Sequence, residues 1–155
     1  MSNGPVIQMQ GLGPLMAKFQ AMSRGVQGKI TRASVRAMGT PVKKAIVAAA
    51  PYDAVTKDNT HIRKNVVVGR SRSKSRYGQE VFTVGIKLGK KALQNGHVVK
   101  TEGDTWYWKL IEFGTSKMPA QPFIRPAAAA AAPAAFAAFE KKFGDEIGKI
   151  VLGPP

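Results

Sequence analysis

The 155 residues carry 24 Lys+Arg, 9 Asp+Glu and no Cys, for a formal net charge of +15. That length supports one domain, and 44% hydrophobic against 21% charged residues argues against a disordered chain. The missing Cys exclude disulfides, thiolate metal sites and Cys nucleophiles, while the charge points to nucleic acid, an anionic surface or an acidic protein as partner.

His61 and His97 are too few and too far apart for a zinc site. No run of about 18 apolar residues exists, so no transmembrane helix and no membrane partner are expected. The start, MSNGPVIQMQGLG, lacks a basic n-region and an apolar h-region, so no signal peptide is expected. Residues 1–13 hold Gly4, Pro5, Gly11 and Gly13 without any period and read as an N-terminal arm.

From Leu15 a helical rhythm begins: Leu15, Phe19, Met22, Val26, Ile30, Ala33, Ala37. Steps of three and four predict one helix over 14–49, bent or restarted near Gly39-Thr40-Pro41. Lys18, Arg24, Lys29, Arg32 and Arg36 fall mostly off its apolar stripe. Ala50-Pro51 stops it, because Pro51 biases Ala50 away from the helical region.

The middle of the chain reads as strands over 62–68 and 79–87, a hairpin-like pair. Between them Gly69–Gly78 alternates Arg70, Arg72, Lys74 and Arg76 with Ser. Such a segment cannot make core, so a protruding, mobile basic tip is expected. Leu88 to Asp104 has weak pattern, with Val98-Val99 as a short strand. Trp106, Leu110 and Phe113 share helical spacing, though a strand reading also fits part of that segment. Ser116 to Pro122 is a loop, Phe123-Ile124-Arg125 a short strand, and 127–143 a helix that forms despite Pro133. That helix ends near Gly144 or continues weakly through Ile147 and Ile150. The order helix–strands–helix predicts an α+β domain over 14–144 and a C-terminal tail over 145–155. In it a long N-terminal helix and a C-terminal helix pack on a small, mostly antiparallel β-sheet with a basic hairpin tip.

Catalysis is poorly supplied. The neighbouring acids Glu102/Asp104 and Asp145/Glu146 read as surface charge, and His61 has no adjacent nucleophile. Gly85-Ile-Lys-Leu-Gly-Lys-Lys91 lacks the spacing of a phosphate loop and reads as a turn. No enzyme, cofactor or metal is expected. Arg70, Arg72, Lys74 and Arg76 are candidates for contact with DNA or an acidic partner, set against a merely solubilising loop. Trp106, Tyr107 and Trp108 could stack bases, but core positions are the better reading. Glu112, between Ile111 and Phe113, needs a partner in so apolar a setting. An Arg such as Arg63 or Arg125, or backbone donors near Gly114-Thr115, would supply one. Gly114 suits a positive φ or close packing, and Phe123, between Pro122 and Pro126, is expected to anchor the last helix in the core.

These residues form an ordered set: Ala50-Pro51; Thr60-His-Ile-Arg63; Trp106-Tyr-Trp-Lys-Leu-Ile-Glu-Phe-Gly-Thr115; Pro119-Ala-Gln-Pro-Phe-Ile-Arg-Pro-Ala127. The set resembles the neck and tail-completion (head–tail joining) protein family of lambdoid-type long-tailed double-stranded DNA phages. Tyr107, Glu112, Phe113, Gly114, Thr115, Pro119, Ala120, Pro122, Phe123, Pro126 and Ala127 match by type and order. Thr60-His61 stands where that family has Thr-Gly.

The resemblance implies a structural virion protein, made in the bacterial host cytoplasm and placed at the neck or top of the tail. It implies a homo-oligomeric ring around the DNA channel, six-fold in preference to twelve-fold. Its neighbours would be head-closure or connector proteins and tail-terminator or tail-tube proteins, with sequence-nonspecific contact to lumen DNA. Ala-rich helix faces would allow close approach between protomers. The alternative is a basic, sequence-nonspecific nucleic-acid-binding module.

Overall fold

The computed structural model describes residues 12–51, 61–75, 79–88, 90–94, 97–101 and 105–152. Helix α1 spans Leu12–Gln20 and α2 spans Arg24–Ala49. The single helix expected over 14–49 is therefore interrupted at 21–23, and it does not restart at Pro41. Packing explains the break. In a straight helix Leu15 would lie about 22 Å from Ile30 along the axis, yet both belong to one cluster with Phe143 and Ile147. The chain must fold back to bury both. The Gln27 side chain ties the turn, donating to the carbonyls of Phe19 at 3.1 Å and Met22 at 2.9 Å.

α2 continues through Pro41 because its packing continues. Ile30, Ser34, Gly39 and Ile46 are buried within it, and Ala50 is buried at its end. Gly39 marks a close approach rather than an interruption: a Cβ there would stand 2.5 Å from Cγ1 of Val68. Ala50 leaves the helix in extended conformation, φ −64 and ψ 137, as a residue before proline should.

After a 3-10 turn at Ile62–Asn65, strand β1 spans Val66–Arg70 and pairs antiparallel with β2, Phe82–Ile86. Residues 62–65 were expected in the strand. Instead the Asn65 side chain donates to the His61 carbonyl at 2.9 Å and closes a turn. β3 (Lys90–Gln94) and β4 (His97–Thr101) form a second antiparallel hairpin. Only Val98-Val99 was expected there. Lys90-Lys-Ala-Leu-Gln94 shows no alternation, but Asn95-Gly96 between the strands is a strong two-residue hairpin signal.

Helix α3 is short, Trp108–Phe113, and α4 is long, Ile124–Leu152. Where a strand was expected at 123–125, Phe123 leads directly into α4 at Ile124, and Gly144 does not end that helix: Ile147 is fully buried. Pro133 is tolerated because it sits on the exposed side, as does Ala129, whose carbonyl loses its partner. The buried residues Ala127, Ala131, Ala135, Phe143 and Ile147 fall in steps of four or eight along α4.

Two clusters fix the direction of α4 against α2. Ile30 meets Phe143 and Ile147, while Ile46 and Ala50 meet Phe123 and Ala127, so the helices run antiparallel. The small alanines Ala127, Ala131 and Ala135 let α4 approach its neighbours closely within the chain. Val66, Val84 and Ile86 of the first hairpin close the core from the other side. The architecture is α+β, as the sequence predicts, with the sheet split into two two-stranded hairpins. Among the described residues no helix is long and apolar enough to cross a membrane.

Candidate functional site

The motif residues converge on the joint between α3 and α4. Glu112 is 4% exposed. Its Oε2 accepts the backbone N–H of Phe123 at 2.8 Å and of Ile124 at 3.0 Å, and Oε1 accepts that of Arg125 at 3.3 Å. These are the orphan donors at the start of α4. Pro126 has no N–H, and Ala127 N–H already reaches the Phe123 carbonyl. Burial pushes the Glu112 carboxyl upward, but the three N–H groups outweigh it and hold it below its ordinary range. The helix dipole acts in the same direction.

The rest of the motif shapes the return from α3. Gly114 has φ 74, and a Cβ there would stand 2.7 Å from the Ala120 nitrogen and 2.9 Å from the Met118 oxygen. Only glycine meets both demands. Thr115 Oγ1 accepts N–H groups of Lys117 and Met118, and Gln121 N–H reaches the Ile111 carbonyl at 2.8 Å. Phe123 is 5% exposed and packs with Ile46, Ala50 and Ile62. The donors to Glu112 thus lie at 123–125, not at Gly114-Thr115. Arg63 serves elsewhere: its Nε caps the Ala50 carbonyl at 2.8 Å.

A basic face lies on the far side of α2. This helix carries Arg24, Lys29, Arg32, Arg36, Lys43 and Lys44 and no acid. A groove of about 770 Å³ runs along the seam where it meets β1, with Arg36, Lys43, Lys44 and Arg63 around Val47, Val67 and Val68. A second space of about 490 Å³, lined by Lys29, Arg32, Arg70 and Phe82, shares Arg36 and Val68 with it. Where they adjoin β2, Glu80 accepts from Arg70 at 2.6 Å and from Arg32 at 3.1 Å. The Arg70 hydrogen bond, with help from Arg32, holds the Glu80 carboxyl below its ordinary range despite some desolvation.

A family model described as "Bacteriophage HK97-gp10, putative tail-component" matches residues 14–114. The chain belongs to this HK97-gp10-like family. No curated protein and no solved structure matches it. Membership agrees with the resemblance carried by the sequence motifs and makes the chain a tail-related structural protein of a bacteriophage. The match stops at Gly114, and the block from Pro119 to Ala127 lies beyond it, joined to it in space through Glu112.

In this HK97-gp10-like chain the expected basic tip is smaller than the sequence suggests. Arg70 belongs to β1 and is committed to Glu80. Arg72 and Lys74 lie exposed in a turn, without an ion pair among the described residues, and Arg76 falls outside the described residues. Hydrogen bonds from Ser71 N–H to Val81 O (2.9 Å) and from Val81 N–H to Ser75 Oγ (3.0 Å) fold this end of the hairpin back on itself. Sequence reasoning set Lys29, Arg32 and Arg36 off the apolar stripe but did not nominate them as a site, although with Lys43 they follow helical steps. It also placed the aromatic segment in the core. Tyr107 and Trp108 are half-buried, but Trp106 is 54% and Phe113 58% exposed.

Proposed function

We propose that this protein is a ring-forming component of the phage head–tail junction, a neck or tail-completion protein that surrounds the DNA channel and joins tail to head. The exposed stripe Trp106, Leu110 and Phe113 carries the reading. These three large apolar side chains follow helical spacing and stay 54%, 37% and 58% exposed in the single chain, with the Arg125 guanidinium over one side of the Phe113 ring. A second protomer is the simplest cover. A heterologous contact that closes by rotation makes a ring, six-fold in preference to twelve-fold. Head-closure or connector proteins lie above it and tail-terminator or tail-tube proteins below. The protein acts as a fitted part and not as an enzyme: Glu112, the one buried acid among the described residues, has its oxygens engaged by three backbone donors.

Native mass spectrometry with negative-stain imaging tests the reading. A closed ring is expected, reduced to folded monomers by Trp106→Ser with Phe113→Ser. Arg72 and Lys74, exposed and without an ion-pair partner among the described residues, favour a second reading, a sequence-nonspecific nucleic-acid-binding module. A wild-type monomer with salt-sensitive DNA affinity would replace the first reading by the second.

A further inference from the structure

We propose that the groove between α2 and β1 is a docking site for an extended acidic segment of a neighbouring virion protein. The proposal rests on the chain being a structural virion protein and does not require a ring.

Arg36, Lys43 and Lys44 have no ion-pair partner among the described residues, and α2 offers no acid. Glu80 is already held by Arg32 and Arg70. Lys29, Arg36 and Lys43 are seven residues apart, nearly two turns, so they rise along one side of α2 at about 10 Å intervals. Such a row attracts a chain carrying several negative charges.

The floor and the edge narrow the choice among polyanions. Val47, Val67 and Val68 give the groove an apolar bottom, and Val67 is 39% exposed. Successive side chains leave a strand on opposite faces. Val67 and Val68 both line the groove, so it follows an edge of β1. Among the described residues β1 pairs with β2 alone. A strand edge offers N–H and C=O groups to an incoming extended chain, and pockets beside it select alternate side chains. From Arg36 to Ala48, α2 rises about 18 Å, room for roughly five or six extended residues. A segment alternating acidic and apolar residues would place one set on the valines and the other beside the cations.

DNA fits less well. A duplex is a wide convex rod that meets the rim cations and leaves the apolar floor empty.

The test uses the full chain and a fluorescein-labelled eight-residue peptide alternating Asp and Val. Fluorescence polarisation should show binding that weakens with salt. Arg36→Glu, Lys43→Glu and Lys44→Glu together should weaken it at least ten-fold. Val67→Asp should do the same. Lys18→Glu, Lys117→Glu and Lys141→Glu together, an equal charge change at exposed sites elsewhere, should stay within about two-fold. Circular dichroism checks that each variant is folded. Equal losses in the two triple variants would reduce the effect to bulk charge and overturn the proposal. So would a labelled 20-base-pair duplex that binds more tightly than the peptide through the same three residues. Oligomer mass on the same samples keeps the two readings apart. Lost peptide binding with an intact ring sinks the groove alone, and a monomer that still binds peptide sinks the ring alone.

Discussion

Two glutamates hold this molecule together in opposite ways. Glu112 is buried and gripped by backbone N–H groups whose positions are set by α4 itself. Glu80 is gripped by the side chains of Arg32 and Arg70, which are half and one-third exposed. The first arrangement is stiff and shielded from salt; in the second the Glu80 side chain is also largely covered, 8% exposed, but its guanidinium partners face solvent, so the pair is adjustable and partly screened. The family motif surrounds the stiff one. The motif is thus largely a folding joint, and Phe113, at the end of α3, is its large exposed apolar side chain.

The largest expected effect sharpens that contrast. Phe123 donates its N–H to Glu112 and buries its ring among Ile46, Ala50 and Ile62. Phe123→Ala should cost about 3–5 kcal/mol in denaturant unfolding. Unchanged stability would mean that the joint is not anchored in the core.

Glu112→Ala should cost about 2–4 kcal/mol, because buried N–H groups lose their acceptor and α4 loses its cap. The acid limb of stability separates the two glutamates further. Both carboxyls are held below their ordinary range, so each contributes stability that is complete above about pH 4.3, the unfolded glutamate value. That stability is lost as pH falls through the lowered, folded value. Glu112→Gln should flatten the limb at any salt concentration. Glu80→Gln should flatten it only at low salt and cost less than about 1 kcal/mol. A limb equally salt-sensitive in both variants would erase the distinction.

Gly114→Ala should cost about 1–3 kcal/mol, from a strained positive φ and contact with the Ala120 nitrogen. Thermal melting reads this directly. The smallest effect is expected at the hairpin end. Arg72→Ser with Lys74→Ser should shift stability by no more than about 0.5 kcal/mol, since neither side chain has an ion-pair partner among the described residues. A large loss there would show that the hairpin end is part of the fold.

Much of the joint was legible from Glu112-Phe-Gly-Thr115 and Pro122-Phe-Ile-Arg-Pro126. A lone acid among apolar residues demands a partner, glycine before threonine suggests a turn, and two prolines constrain the ring between them. The identity of the partner was not legible. Glu112 could have met Arg63, Arg125 or a nearby turn. Only the docking of α3 against the start of α4 chose the N–H groups of 123–125. Thr105, fully buried with its hydroxyl on the Lys87 carbonyl at 2.7 Å, carried no sequence signal. A lone threonine beside a tryptophan looks like a loop residue until the strand end it ties is known.

By itself the sequence determined the helix–strand–helix order, the α+β class, the stop at Ala50-Pro51, the β1–β2 pairing and the family. These follow from local rules: hydrophobic period, proline geometry and an ordered set of short motifs. Tertiary structure alone decided where the long apolar stripe breaks, because folding α1 back against Phe143 and Ile147 buries more than a straight helix can. It decided that Gly39-Thr40-Pro41 stays helical, because Gly39 lies against Val68. It turned Trp106 and Phe113 outward and drew Arg70 onto Glu80. Spacing states which residues share a face. Which face turns inward depends on the neighbours that reach it, and those neighbours are distant in the chain.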